Sequence, residues 1–506
     1  MNFVLACIPV AVVLALMLRL KWGAHKAGAA GWLAAVVAGG LSFGLTFEVF
    51  WVSQVKGLLL SIYVLLIMWP ALFLFHWLNR LGAIEAVTRM LQRAVPEPGL
   101  FAIALAWCLS GAFEGIAGFG LPVAIVAPML LAAGVQPIRA VAAVAIGHSW
   151  AVTFGSMGLI FQTLSAISGI SSQELVPWTA TLLGAACIGC GLGAALVLGQ
   201  SHRWKAVILV ALLMASVQFA VCYFGLSAMG SFAAGLAGLL ACAAISRRTR
   251  ENSTPAPATT ANSSKNVAPA LACYGSLALM LAALTFVPPL RIAVENFRWQ
   301  ATFTRVATGN GFVTPAGKGP AFLFLTHPGS LMILVALVAV ATAFWSNRQS
   351  ARETFLHATR GTVSSGGLAT VGVLFMVGMA GIMDHCGMTL LLAEAVSGIA
   401  GSAYPLVSPF IGVLGAFATG SNNNSNIMFA TLQKSAAEIL RLSPALILAG
   451  QTAGGSLGSM VAPAKLVIGC STAGLTGQEG AVLRKTIGPL LALIFIIGLI
   501  LLALAR

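Results

Sequence analysis

Two long apolar regions are broken in the middle by GAFEGIAGFGLP (Gly111–Pro122) and by ATGSNNNSN (Ala418–Asn426). The apolar regions, about 99–134 and 404–440, are each long enough to enter a membrane. A broken backbone is tolerated at that depth only where protein or a water-filled cavity covers it. We therefore predict a re-entrant hairpin at each break.

The composition of the whole chain is that of a membrane protein. Of its 506 residues, 59% are hydrophobic and 8% are charged, against about 25% charged in a soluble domain. This shortage excludes soluble enzymes, nucleic-acid binders and fibrous proteins. The net charge of +15 fits basic residues gathered between apolar spans at a cytoplasmic face. The expected partner is a lipid bilayer, with no nucleic acid.

Twelve further apolar stretches approach the roughly 20 residues that a transmembrane helix needs. They are 2–20, 28–47, 57–78, 140–166, 177–200, 206–226, 228–245, 270–290, 321–345, 363–383, 443–462 and 486–504. The predicted fold class is therefore an all-α polytopic membrane protein, with about 12 transmembrane helices plus two re-entrant hairpins.

The basic residues predict the orientation of these spans. With the N-terminus outside, nineteen of the twenty-seven Lys and Arg fall in cytoplasmic connections, as the positive-inside rule requires. One long outer loop, 291–320, carries four of the eight exceptions. The segment 247–269 is rich in Ser, Thr, Pro, Ala and Asn, and it is predicted to be a disordered cytoplasmic linker.

Short motifs recur about 304 residues apart along the chain. Gly111-Ala112-Phe113 recurs as Gly415-Ala416-Phe417, and Gly155-Ser156-Met157 recurs as Gly458-Ser459-Met460. We predict two repeat units of five spans and one hairpin each. These are 1–205 and 270–506, joined by two connecting spans in 206–246 and by the linker.

The number of spans predicts how the two units are related. Seven spans precede the second unit, and because seven is odd the two hairpins would enter from opposite faces of the membrane. An inverted repeat with broken helices at matching places is typical of alternating-access secondary transporters, which bind substrate at the breaks.

The first break carries an acid, Glu114, among glycines. A charged carboxyl group at membrane depth costs about 2.5–3.5 kcal/mol, so such a residue is a functional candidate. We predict that Glu114 couples transport to protons, and that Gly115 and Gly118 let the backbone approach the substrate. The alternative is a Glu that caps the half-helix starting at Gly115 or bonds the other hairpin arm.

The second break carries six neutral hydrogen-bonding side chains before a short helix. A half-helix N-terminus with free N–H groups suits a small anion such as a carboxylate. We predict that these six side chains bind substrate, and the alternative is an exposed polar loop. They are Ser421, Asn422, Asn423, Asn424, Ser425 and Asn426.

The spans after each hairpin add further candidates. His148 is the only ionisable group in its span, and it is either a second proton-handling group or a neutral histidine that bonds across helices. Gln451 and Thr452 are predicted to contact substrate. Lys465 follows Pro463, and it is either a loop cation or the counter-charge of a substrate carboxylate.

Other classes of function have little support in the sequence. The chain contains no HExxH, no GxSxG and no pair of carboxylates within a span, so we expect a transporter rather than an enzyme, with no metal or cofactor. Polar hairpins would also suit a sodium-coupled carrier or an exporter, and these alternatives stay open.

The ordered motifs resemble those of the bacterial lactate permease family, which includes glycolate permeases. The segments that carry the resemblance are GAFEGIAGFGLPVAI (Gly111–Ile125), TGSNNNSNIMFATLQ (Thr419–Gln433) and QTAGGSLGSMVAP (Gln451–Pro463). The resemblance implies a proton-coupled importer of small 2-hydroxymonocarboxylates, such as lactate or glycolate, in the bacterial inner membrane.

Three positions depart from the pattern of that family. The family usually has Asp where this chain has Asn422, Asn where it has His148, and Gln where it has Lys465. One acid is lost and two potential cations are gained, so the alternative substrate is a different, more anionic organic acid. Glu114 is then the carboxylate best placed to carry a proton.

Overall fold

The computed structural model describes residues 2–20, 22–116, 118, 120–249, 268–295, 297–475 and 478–505. These segments are mostly helical, which confirms the predicted class of helical membrane protein. Within them, eleven helical stretches are long and apolar enough to cross a membrane. Most of the predicted linker 247–269, namely 250–267, lies outside the described residues.

The first helices lead up to the first break. Two helices at the N-terminus are followed by a helix of 34 residues and then by a short amphipathic helix. They are α1 (Asn2–Arg19), α2 (Ala24–Ser42), α3 (Phe47–Arg80) and α4 (Ala83–Ala94).

The first arm of the first predicted hairpin is one helical stretch, in which α5 and α6 are joined by a π-helical segment, Ala104–Leu109, and the second arm is α7. A second broken helix and a long straight one follow it. In order they are α5 (Pro98–Ile103), α6 (Ser110–Ile116), α7 (Leu121–Ala132), α8 (Pro137–Gly147), α9 (Leu159–Ser168) and α10 (Ser172–Val197).

Four helices and a long hairpin form the middle of the chain. The helices are α11 (Trp204–Tyr223), α12 (Gly230–Thr249), α13 (Ala268–Phe286) and α14 (Pro288–Glu295). The strands are β1 (Arg298–Trp299), β2 (Thr302–Phe303), β3 (Val306–Ala307), β4 (Val313–Thr314), β5 (Gly317–Lys318) and β6 (Phe322–Leu323).

The predicted outer loop 291–320 is thus largely a nested antiparallel hairpin, with β1 paired to β6, β2 to β5 and β3 to β4. Its tip is docked on the connection between α2 and α3, where Gly309 N donates to Gly44 O at 2.7 Å. Asn310 Nδ2 donates to Ser42 O at 2.9 Å. This small sheet was not foreseen in an all-α chain.

The remaining helices contain the second break. They are α15 (Pro328–Ser346), α16 (Arg348–His385), α17 (Met388–Ala400), α18 (Tyr404–Thr419), α19 (Asn422–Ile439), α20 (Pro444–Gly458), α21 (Pro463–Thr472) and α22 (Glu479–Leu504). Thus α18 and α19 are the two arms of the second predicted hairpin.

Nine of the twelve predicted spans coincide with the eleven apolar stretches, and the other two stretches include the first arms of the predicted hairpins. The predicted spans that lie outside the eleven contain α1, α2 and α13. The helix α2 is rich in Ala and Gly, which are less apolar than Leu or Ile, and its small residues allow close packing. A Cβ at Gly31, for example, would lie 2.8 Å from Met379 Sδ.

The helices from α3 to α10 correspond in order to those from α16 to α22, if α5 and α6, which form one helical stretch (Pro98–Ile116), are matched together with α18. The helices α3 and α16 begin at Phe47 and Arg348, 301 residues apart. The helices α10 and α22 begin at Ser172 and Glu479, 307 residues apart. These separations bracket the offset of 304 in the sequence motifs. The boundaries of the two units and their inverted relation stay predictions.

The buried apolar residues form two large clusters with α19 between them. One cluster gathers α5 to α8, α10 to α12 and α20 to α22. The other gathers α1 to α3, α13, α15 and α16. The helix α19 contributes Ala430 to the first cluster and Ile427 to the second. The second break therefore leads into a helix that packs against both of these clusters.

Candidate functional site

Both breaks are short turns between helices. The first lies between Ile116 and Leu121, and residues 117 and 119 within it lie outside the described residues. At the second, Gly420 has φ of +72°, a left-handed conformation that glycine adopts readily. Ser421 then caps α19, its Oγ accepting from Asn424 N at 3.4 Å.

The two breaks meet at the first turn of α21. A Cβ at Gly120, in the first break, would lie 3.6 Å from Lys465 Cγ and 3.2 Å from Ile468 Cδ1. A Cβ at Gly420, in the second break, would lie 3.2 Å from Ala464 Cβ. Two segments about 300 residues apart in sequence thus converge on one helix start.

Lys465 is a buried residue of α21 and not a loop cation, so the first of its two sequence alternatives is wrong. Its Nζ lies 4.0 Å from Glu114 Oε1 and 3.3 Å from His148 Nε2. The Glu114 side chain is buried, and its second oxygen, Oε2, has no hydrogen-bond partner in the described part of the chain.

The hydrogen bonds of His148 indicate its tautomer. Its Nδ1 lies 2.8 Å from Val144 O, and since a carbonyl oxygen only accepts, Nδ1 carries the hydrogen. The Nε2 of the neutral ring can then accept from the Lys465 ammonium group. The geometry therefore favours the neutral, helix-bridging role of His148 over the proton-handling one.

An irregular segment after α8 holds the first break in place. Ser156 and Met157 have φ of 49° and 56°, a conformation that is strained for residues other than glycine. Ser156 Oγ accepts from Gly118 N at 2.9 Å. The next residues begin α9, so the strained turn positions a hydroxyl against the glycine-rich break.

The first turn of α19 is tied to α20 and to this irregular segment by a buried hydrogen-bond network. Asn422 Nδ2 donates to Thr153 Oγ1 and to Thr452 O, each at 3.1 Å. Asn426 Nδ2 donates to Thr452 Oγ1 at 2.9 Å. Since the asparagines of α19 are buried, the alternative of an exposed polar loop is wrong.

A second buried network joins α18, α19 and α20. Gln451 Nε2 donates to Ser425 Oγ at 3.1 Å, and Gln433 Nε2 donates to Gln451 Oε1 at 2.9 Å. Tyr404 OH donates to Gln433 Oε1 at 2.6 Å. Ser425 and Gln451, both predicted site residues, are therefore linked to two residues that sequence reasoning missed.

A helical spacing could have identified one of the missed residues. Asn422, Asn426 and Gln433 follow one another along α19 at intervals of four and then seven residues, which places all three on one face. Ser156 and Tyr404 carry no comparable signal, because each acts through a partner that is remote in sequence.

Several buried oxygen atoms of the predicted site have no hydrogen-bond donor among the described residues. They are Glu114 Oε2 and the Oδ1 atoms of Asn422, Asn423 and Asn426. Buried polar atoms are usually paired in proteins, so these oxygens are candidates to accept from a bound group, although Asn422 Oδ1 packs against Gly455 of α20.

Gly115 has a clear packing role. A Cβ there would lie 2.5 Å from the backbone nitrogen of Phe232 in α12, so the glycine allows α6 and α12 to touch. Its predicted contact with substrate stays a prediction, as do the other assignments in the site.

A cavity of about 660 Å³ reaches α19 from the side of the β-hairpin. Lys56, Lys318, Asp384 and His385 lie in its wall, and Ile427 of α19 lines it as well. Ile427 lies in the second turn of α19, so the wall of this cavity reaches the N-terminal part of that helix.

Comparison with known proteins gives a consistent result across the chain. The family model described as L-lactate permease matches residues 2–506. The L-lactate permease of Escherichia coli (strain K12) is 25% identical over 470 residues, which cover 86% of this chain and 84% of the relative.

Other relatives extend further along the chain. The L-lactate permease of Halalkalibacterium halodurans is 24% identical, covering 95% of this chain and 93% of the relative. The glycolate permease GlcA of Escherichia coli (strain K12) is 22% identical, covering 99% and 95%. All three are named permeases, in agreement with a transporter rather than an enzyme.

Among solved structures, the Alcanivorax borkumensis YdaH transporter aligns with a TM-score of 0.48 and 15% identity, covering 86% of this chain and 84% of that one. This likeness is too distant to support an inference about substrate or mechanism.

Proposed function

This chain belongs to the L-lactate permease family, and from that premise we propose that it is a proton-coupled symporter of a small 2-hydroxymonocarboxylate such as lactate or glycolate. It would act by alternating access in the bacterial inner membrane, with its N-terminus outside. The units 1–205 and 270–506 would be the two halves of the inverted repeat.

The observation that carries this proposal is the meeting of both breaks at the start of α21. Lys465 and Ala464 of that helix lie beside Gly120 and Gly420. A carboxylate held there would face the Lys465 ammonium group and the first turn of α19, where amide side chains and the helix dipole favour an anion.

The proposal assigns roles to several of the predicted residues. Glu114 carries the proton, while His148 keeps Lys465 in place. The amides of α19 and Thr452 of α20 surround the substrate, whose hydroxyl group can donate to an Asn oxygen without a partner. Glycine at 118 keeps the backbone close to the Glu114 carboxyl group.

Uptake into proteoliposomes tests the proposal. We expect labelled L-lactate or glycolate to accumulate when the outside is acidic, and accumulation to collapse when a protonophore removes the gradient. Accumulation that ignores an imposed pH gradient would exclude proton coupling.

Glu114→Gln should lose concentrative uptake and keep exchange of internal for external substrate, because exchange needs no net proton movement.

Sodium coupling is the second candidate, and one observation favours it. Three buried amide oxygens, of Asn422, Asn423 and Asn426, have no donor in the described part of the chain, and oxygen atoms at helix breaks suit Na⁺. Replacing external Na⁺ by K⁺ at constant pH decides between proton coupling and sodium coupling. Proton coupling predicts unchanged uptake, and sodium coupling predicts its loss.

A further inference from the structure

One acidic and one basic side chain are buried together in the region that the structure describes. Glu114 is 1% exposed and Lys465 is 5% exposed. Among the residues whose side chains the structure describes, they are the only buried carboxylic acid and the only buried Lys or Arg. Removing one partner of such a pair leaves an uncompensated charge, which is strongly destabilising. The charge states of the two groups are therefore coupled.

Lys465 is held more closely by His148 than by Glu114. The distance from Lys465 Nζ to Glu114 Oε1 is 4.0 Å, beyond hydrogen-bond length. The same Nζ lies 3.3 Å from His148 Nε2, and His148 is itself held by Val144 O. Lys465 can thus keep its position when Glu114 loses its charge.

The ammonium group also belongs to the helix turn that contacts both breaks. The stem of Lys465 packs beside Gly120, and Ala464 packs beside Gly420. An anion that reaches either break therefore meets this cation first, and the positive end of the α21 dipole adds to the attraction.

We propose that Lys465 is a shared counter-ion, which pairs with ionised Glu114 when no substrate is bound and with the substrate carboxylate once Glu114 is protonated. The inference rests on the proposed function and deepens it, because it sets the coupling ratio at one proton for each monocarboxylate. The proton comes from water on the side of entry, binds a Glu114 oxygen, and returns to water on the side of release. No bond of the substrate changes.

The charge balance explains the ratio and the substrate class. Ionised Glu114 with Lys465 sums to zero, and so does protonated Glu114 with Lys465 and one carboxylate. A dicarboxylate would leave a net negative charge in the low-dielectric interior, which is costly. The site therefore selects monoanions, in contrast to the more anionic substrate left open by the sequence.

Other titratable groups near Glu114 do not replace Lys465 in this balance. Among the side chains that the structure describes, the elements packed against α6 carry Cys108, Arg139, Cys242 and Arg247. None of these four forms an ion pair with Glu114 in the described residues, where Lys465 is the partner of its carboxyl group.

Binding measurements on the purified full-length protein test the proposal. The affinity for labelled L-lactate would be measured between pH 5.5 and 8.5 for the wild type, Glu114→Gln, Lys465→Gln and the double variant. The control is Lys485→Gln, at an exposed lysine of α22, which should behave as the wild type does. The affinity of the wild type for malate, a dicarboxylate, is measured for comparison with lactate.

The expected pattern follows from linkage between proton and substrate. Where Glu114 is mostly ionised, the wild-type affinity should fall about tenfold for each unit of pH, because each substrate binds with one proton. Glu114→Gln mimics the protonated acid and should bind lactate with an affinity independent of pH. Lys465→Gln should bind at least about tenfold more weakly, and malate should bind the wild type at least about tenfold more weakly than lactate.

The double variant separates binding from folding, because it removes both buried charges and leaves no unpaired one. We expect it to fold and still bind lactate poorly. Wild-type affinity in Lys465→Gln or in the double variant overturns the shared counter-ion, and so does a wild-type pH slope in Glu114→Gln. If neither lysine variant folds, a wild-type pH slope in Glu114→Gln, or malate bound by the wild type as tightly as lactate, still overturns the proposal.

Failure of the proposed function has a different signature. A wild-type protein that binds no lactate, glycolate or other 2-hydroxymonocarboxylate at any pH removes the proposed substrate class. A wild-type protein that binds lactate without any pH dependence keeps the substrate class and overturns the counter-ion exchange.

Discussion

At the scale of single residues, the candidate site depends on close approaches that larger side chains would prevent. A Cβ at Gly118 would lie 2.5 Å from Glu114 Oε1 and 2.6 Å from Ser156 Oγ. The same glycine donates its N–H to Ser156. The carboxyl group, the strained serine and the first break therefore share one small volume, and a methyl group there must displace one of them.

Gly118→Ala should reduce concentrative uptake of lactate at least about tenfold, because the methyl group pushes the Glu114 carboxyl away from Lys465. The measurement is the initial uptake rate in proteoliposomes under an inward proton gradient. Gly367→Ala is the control, since a Cβ at Gly367 would meet nothing within 4 Å. Equal rates in the two variants would contradict the placement of Glu114.

Asn422→Asp should be impaired at pH 7.5 and partly recover at pH 5.5. An ionised carboxylate cannot donate to Thr452 O, as the Asn422 amide does, whereas a protonated one can. Uptake is measured relative to the wild type at each pH. Asn347→Asp is the control, because Asn347 is an exposed helix cap, a position that Asp fills equally well. A ratio that does not change with pH would count against the donor role.

At the scale of elements, α18 and α20 cross so closely that their backbones touch. A Cβ at Gly454 would overlap the carbonyl oxygen of Pro409, and one at Gly412 would overlap that of Gln451. This crossing fixes Gln451 and Thr452 against the arm that leads into the second break. Small residues at such crossings are common in membrane helices, where packing drives association.

Gly454→Ala should destabilise the protein by about 1–3 kcal/mol, the usual cost of overpacking. The readout is the midpoint of thermal unfolding in detergent, which should fall by several degrees. Gly367→Ala should raise or maintain the midpoint, because alanine favours an uncrowded helix interior by about 0.5–1 kcal/mol. A Gly454→Ala midpoint at or above the wild type would show that the crossing can relax.

At the scale of the whole molecule, the cavity beside α19 joins elements from distant parts of the chain. Lys56 of α3 and Lys318 of β5 line it together with Asp384 of α16. Two cations against one acid make the cavity attractive to anions, and charged clefts raise the rate at which ions of opposite sign arrive. In the predicted topology it opens to the outside.

Neutralising both lysines with Lys56→Gln and Lys318→Gln should raise the KM for lactate several-fold at low salt while leaving the maximal rate unchanged. The effect should vanish near 1 M salt, because the screening length falls from about 30 Å at 0.01 M to about 3 Å. Lys205→Gln with Lys485→Gln, at two exposed positions elsewhere, is the charge-matched control. A KM that ignores salt in every variant would remove the steering role.

Local signals were sufficient for the class of protein and for the position of both breaks. Apolar stretches of membrane length predict spans, and glycine, proline and polar residues within them predict interruptions, because both depend on neighbours along the chain. The predicted breaks at 111–122 and 418–426 contain the turns between α6 and α7 and between α18 and α19, although both turns are shorter than predicted and residues 422–426 are helical.

Contacts between distant segments were beyond these signals. Lys465 stands after Pro463, where the apolar run stops in sequence, and a loop is therefore one of its two interpretations. In the folded chain α21 continues beneath both breaks and buries this lysine. Its partner His148 is 317 residues away, too far for any pattern of spacing to relate the two.

The sequence by itself determined that this chain is a helical membrane protein with two breaks and an acid, Glu114, in the first. Hydropathy and chain-breaking residues are local properties, and each can be read from a short window. Only the tertiary structure decided that Lys465 and His148 join Glu114, and that the asparagines of α19 are buried on α20. Coulomb attraction and hydrogen bonding depend on distance in space, which the fold sets by packing α21 against both breaks.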